Sequence, residues 1–209
     1  MPYISWLRRG ALGLALCAAL PAAPIQWTAA MGGNDNWYEY IPTVSIFESI
    51  DYDTARAASL GSTHMGMQGY LATVTSAPEQ AFIEAFPILV GFGNTGSAWL
   101  GATTLSSPGT YRWVDGPEAG QAITYTNWLP SQPVAGWEYL AQLRNLNTGA
   151  TNGWVSLTAG NRTFGYVIEY GDATIDQPAP AGGQVPEPAS VTLAGAGLLG
   201  AALLLRRQD

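Results

Sequence analysis

Apolar and polar positions divide the chain into two terminal apolar runs and a middle where short apolar stretches alternate with turn residues. In the middle, residues 37–41 read as a first strand, and Asp51 caps a short alanine-rich helix that runs through Leu60 and stops at Gly61. A second helix is better marked. Ser76-Ala77-Pro78-Glu79 forms a capping box with proline in the first turn, Phe82, Ile83 and Phe86 share one face, and Pro87 blocks extension. Segments 98–102, 111–114, 139–143, 154–157 and 166–170 are short, aromatic or β-branched, and bounded by Gly, Pro, Asn and Ser, as strands are. Helices first and strands afterwards predict an α+β domain: two helices beside a small, mainly antiparallel sheet. The stretch 116–137 is a long aromatic loop, and long loops in compact domains usually serve a function.

The terminal runs read as addresses. Arg8-Arg9 precede the apolar stretch 10–23, and Thr28-Ala29-Ala30 offer small residues for a cut before Met31, so 1–30 is the expected leader. Cys17 follows Leu16, where lipoprotein processing requires a small side chain. At the other end Val185-Pro186-Glu187-Pro188 leads into an uncharged run, 189–205, closed by Arg206-Arg207. That run is at the short end for a membrane-spanning helix, and the arginines place its end on the cytoplasmic side. The ordered trio at 185–209 resembles the PEP-CTERM sorting signal of Gram-negative bacteria. The resemblance implies an exosortase-type protease that reads Pro186, Glu187 and Pro188 and removes the helix. The protein would then be exported, transiently membrane-anchored, and placed in the cell envelope or on the extracellular surface. Residues 172–184, with Pro-Ala-Pro and Gly-Gly, read as a linker behind a domain at 31–171.

Charge narrows the partners. The whole chain carries −7, with no lysine, and between Met31 and Pro186 four arginines face thirteen acids, a balance of −9. Such a surface repels phosphate backbones, which argues against nucleic acid and for a neutral ligand. The single cysteine leaves with the leader, so the domain relies on its core without disulfides. His64 is the only histidine and reads as a loop residue without a catalytic partner. Asp51 and Asp53 read as helix-start acids, and no nucleophile elbow, phosphate loop or zinc set appears. The reading is non-enzymatic.

The middle resembles the C-type lectin-like domain. Trp37-Tyr38-Glu39-Tyr40, Asp53-Thr54-Ala55-Arg56, Gly69 through Ser76 with Glu79 and Phe82, Trp99-Leu100-Gly101-Ala102 and Tyr111 through Gly116 carry the resemblance. It continues in Tyr125-Thr126-Asn127-Trp128, Gln132-Pro133, Glu138, Gly153-Trp154 and Gly165 through Tyr170. Segment 62–68 lengthens the link after the first helix, and the disulfides of animal members are missing. Sugar-binding members hold calcium through a Glu-Pro-Asn or Gln-Pro-Asp motif, a following glutamate and an Asn-Asp pair. Here those positions read Gln132-Pro133-Val134, Glu138 and Val155-Ser156. Gln132 and Glu138 are residual candidates, too few for a cation that needs six to eight oxygens, so no metal is expected at the usual sugar site. Asp115 and Glu118 leave a second, structural calcium open. Trp99 and Trp113 read as core, while Trp128 and Trp137, within the loop, join Gln132 and Glu138 as ligand-binding candidates. The expected function is a surface-displayed binding module for a glycan, extracellular polysaccharide or surface protein. The alternative is a structural component of a secreted polysaccharide matrix with no specific ligand.

Overall fold

The computed structural model describes residues 23–91, 93–147 and 152–171. Most of the expected leader, the linker, the run at 189–205 and the sorting residues Pro186, Glu187, Pro188, Arg206 and Arg207 lie outside them. Among the described residues no helix is long and apolar enough to cross a membrane.

The strands are β1 (Ile25–Gln26), β2 (Trp37–Pro42), β3 (Thr63–His64), β4 (Met67–Leu71), β5 (Thr95–Thr103), β6 (Arg112–Trp113), β7 (Tyr139–Asn145), β8 (Gly153–Leu157) and β9 (Gly165–Tyr170). The helices are α1 (Tyr52–Leu60) and α2 (Ala77–Glu84). The sheet runs β1-β2-β9-β5-β7-β8, with β4 also on β9 and β6 on β5. Its pairs are antiparallel except β5 with β9, which meet in parallel at Trp99 and Tyr166. The last strand is therefore central. β2 follows it from Tyr170 to Gly165, while β4 meets it at Ile168, Glu169 and Tyr170 and β5 at Tyr166.

Side chains alternate across a strand, and here both faces are covered. Leu100, Leu140 and Val167 join one apolar cluster with Ile83 and Phe86, whereas their neighbours Trp99, Tyr139, Ala141 and Ile168 join another with Tyr52 and Ala55. Helix α2 thus packs on one face and α1 on the opposite one. The expected helix starts hold, with Asp51 Oδ1 accepting from Thr54 N at 2.8 Å and Ser76 Oγ from Glu79 N at 3.3 Å. Gly61 ends α1 in the right-handed region, with φ −80°, so its stop does not rest on glycine's conformational freedom.

Two segments differ from expectation. Segment 62–68 is a β3–β4 hairpin whose turn residues Met65 and Gly66 both have positive φ, 50° and 84°. That pairing matches the twist of the flanking strands. It places His64, expected in a loop, against the rings of Trp37 at 4.7 Å and Tyr170 at 5.6 Å. The domain also begins before the expected boundary at 31. β1 pairs with Tyr38 and Trp37, and Trp27 is 2% exposed within the core.

Candidate functional site

The long connection from β6 to β7 lies outside the sheet and is held to it at several points. At its start, Arg56 Nε and Nη2 donate to the two oxygens of Asp115 at 2.6 and 2.7 Å, tying α1 to the loop. In the middle, Asn127 O accepts from Trp154 N at 2.7 Å and Leu129 N donates to Trp154 O at 2.9 Å. Trp128 is consequently laid against the domain, its ring 5.7 Å from Trp154 and 5.0 Å from Tyr111. Trp154 is fully buried, and its indole N–H donates to Gln80 Oε1 of α2 at 2.7 Å. Trp99, also fully buried, donates to Ile50 O at 2.9 Å. Every one of these indoles is a floor for the loop or the sheet.

The four ligand candidates of the sequence fall into two groups. Gln132 is committed to structure: its Oε1 accepts from Ser156 N at 2.8 Å and Ser156 Oγ at 2.7 Å. The same Oγ accepts from Val134 N at 2.8 Å. Ser156 and Gln132 together button the loop to β8, and Trp128 is packed beneath. Trp137 and Glu138 are presented instead. They line a depression of about 490 Å³ with Leu105, Pro108, Pro133 and Val134. Trp137 is 36% exposed and Leu105 60%, large values for such apolar side chains. Tyr111 closes the rear, donating its hydroxyl to Trp137 O, and burial pushes its phenol up to about 12. The result is an apolar, half-open surface with one carboxylate at its edge.

Calcium, which the fold resemblance implies for this loop, does not fit these residues. Val134 and Val155 supply no side-chain oxygen, Gln132 Oε1 is already shared between two donors, and Glu138 alone cannot replace a hydration shell. Asp115 is taken by Arg56, and Glu118, 4% exposed, accepts from Thr73 Oγ1 at 3.1 Å. Among the described residues no group of three or more His, Cys, Asp or Glu is arranged to hold a metal ion.

Sequence reading missed a second polar feature, set deep in the core. Glu79 and Glu169 are both fully buried. The Tyr38 hydroxyl lies 2.7 Å from Glu79 Oε1 and 3.1 Å from Glu169 Oε1, bridging them. Glu79 Oε2 accepts from Thr75 N at 2.6 Å and Thr75 Oγ1 at 3.0 Å, so the capping-box glutamate reaches past the cap residue. Glu169 takes Asn36 Nδ2 at 2.8 Å and Thr73 N at 2.9 Å. Burial foremost, and the neighbouring Glu169 charge after it, raise the Glu79 carboxyl to about 8, so it keeps a proton at neutral pH. One signal was available: a glutamate inside the run Val167-Ile168-Glu169-Tyr170 breaks an otherwise apolar strand, and such acids are rarely buried unless paired.

Known proteins resemble the chain in its fold and in its tail. Residues 184–208 match the family model described as the PEP-CTERM protein-sorting motif. The chain is 31% identical over 166 residues to halomucin of Haloquadratum walsbyi, covering 76% of this chain and 2% of that protein. It is 31% identical over 100 residues to the alpha-N-acetylgalactosamine-specific lectin of Patiria pectinifera, covering 48% of this chain and 54% of the lectin. The chain therefore spans about half, or far less, of the length of these relatives. Among solved structures, the human scavenger receptor C-type lectin carbohydrate-recognition domain superposes with a TM-score of 0.50 at 16% identity, covering 72% of this chain and 98% of that one. The described residues thus form a C-type lectin-like domain, and the chain carries a PEP-CTERM protein-sorting motif behind it.

Proposed function

We propose that this protein is a lectin-like binding module, exported and displayed at the cell surface, that takes a neutral glycan in the depression formed by Trp137, Leu105, Pro133 and Glu138. The observation that carries the reading is the exposed Trp137 beside a carboxylate free of hydrogen bonds among the described residues. An indole face accepts the apolar side of a sugar ring, and a carboxylate accepts its hydroxyls. Calcium plays no part at this position, because the valines have removed the oxygens a cation would need. The net acidic surface supports an uncharged ligand over a phosphorylated or nucleic-acid one. The specificity in the name of the Patiria relative supports a carbohydrate over a protein ligand.

The sorting motif supports export and surface placement. On this reading an exosortase-type protease acts at Pro186, Glu187 and Pro188 and removes 189–205, which holds the protein in the membrane of a Gram-negative bacterium until then. A glycan array probed with the exported protein tests the binding reading. Binding is expected to survive a chelator and to weaken about tenfold in Trp137→Ala, the loss typical of one central aromatic contact. Chelator-sensitive binding overturns the calcium-free site, and no binding to any glycan or envelope extract favours the matrix-component alternative.

A further inference from the structure

The residues just before the expected domain start at 31 are built into the fold. Ile25 and Gln26 pair with Tyr38 and Trp37. Trp27 N donates to Asn36 O and Asp35 N to Trp27 O, each at 2.9 Å. The Trp27 ring stacks on Phe82 of α2 with centroids 5.9 Å apart and meets Tyr38 edge-on at 6.4 Å. The turn that follows is closed by Ala29 N donating to Asp35 Oδ1 at 2.8 Å. It wraps so tightly that a Cβ on Gly33 would lie 2.1 Å from the Trp27 carbonyl oxygen. A cut before Met31 would discard β1 and Trp27 and open an indole-sized void beside Tyr38, the residue that bridges the buried glutamates.

We propose that the leader is cut upstream of Ile25, at the bond joining Ala19 to Leu20, so that Trp27 stays with the mature domain. A leader protease needs small residues first and third before the bond it cuts. Cys17 and Ala19 supply them, at the end of the apolar run that opens at Gly10. The neighbouring alanines fit less well. A cut after Ala22 places the bulky Leu20 third before the bond, and a cut after Ala23 must break the tertiary amide of Pro24. The reaction is hydrolysis by a membrane-bound leader peptidase. Water adds across the amide, the Ala19 carbonyl becomes the leader's carboxylate, and the Leu20 nitrogen becomes the new amino terminus. Cys17 departs with the leader, leaving a surface protein with no thiol to oxidise.

The full chain, expressed in a host that exports it, is purified from the surface fraction and its N-terminal peptide identified by mass spectrometry. Leu20 is the expected first residue. Ala19→Phe is expected to leave the leader uncut, and Ala30→Phe, at an exposed position, to change nothing. In the exported protein Trp27→Ala is expected to lower Tm by about 10 °C, as loss of a core tryptophan should. Leu20 as the first residue upholds the proposal, and any other first residue overturns the assigned bond. An uncut chain, or blockage by Ala30→Phe but not Ala19→Phe, overturns it as well.

Discussion

Glu79→Gln probes the proton held in the core. Burial, reinforced by the charge of Glu169, raises the Glu79 carboxyl from its ordinary 4.5 to about 8. Between those values the folded chain keeps a proton that the unfolded chain has released. Stability from this group is therefore complete below pH 4.5 and is lost as pH rises through 8. At about 1.4 kcal/mol per unit, the loss between pH 5 and pH 8 is on the order of 3 kcal/mol, or roughly 10 °C in Tm for a domain of this size. Glutamine matches the protonated acid in shape and hydrogen bonding. Its Oε1 accepts from Thr75 N, and its Nε2 donates to the Tyr38 hydroxyl, which then donates to Glu169. Thermal unfolding of wild type and variant at pH 5, 6, 7 and 8, in chelator so that no divalent ion competes with the proton, reads the difference. The wild-type Tm should fall across this range more steeply than that of Glu79→Gln, and the variant should match or exceed wild type at pH 8. Parallel curves, or a wild type that gains stability from pH 5 to pH 8 relative to the variant, would refute the trapped proton.

Three further outcomes follow from packing. Gly101→Ala places a Cβ 2.3 Å from the Leu71 carbonyl oxygen, where β4 meets β5, and should cost about 3 kcal/mol or more, or prevent folding, as read by chemical denaturation. Ser156→Ala removes the hydroxyl that joins Val134 N to Gln132 Oε1, leaving Gln132 only the backbone N–H of residue 156. It should cost about 1–2 kcal/mol and speed amide exchange at Val134 while leaving exchange in β2 and β9 unchanged. Asp51→Ala removes the α1 cap and should lower stability by about 1 kcal/mol, with helical circular dichroism otherwise retained.

Much of this protein was determined by local chemistry and is legible in the chain itself. Asp51 and Ser76 cap because a short oxygen side chain satisfies an exposed helical N–H wherever the fold lies, and the aromatic and β-branched segments become strands because such side chains fit a pleated, half-buried surface. The loss of oxygens at Val134 and Val155 is equally plain, since an apolar side chain cannot ligate a hard cation in any conformation. The sorting trio at 185–209 needs no tertiary context, because it is read as a linear segment. The tertiary structure decided what depends on neighbours distant in sequence. It put α1 and α2 on opposite faces of the sheet, turned Gln132 from a ligand candidate into a loop fastener, and left Trp137 presented while Trp128 became packing. It also joined Glu79 to Glu169 across a span that no sequence pattern reports, and drew Trp27 into the core from a stretch that resembled leader. A lone residue's type states what it can bond to, and only the packed chain determines which of those bonds water no longer makes.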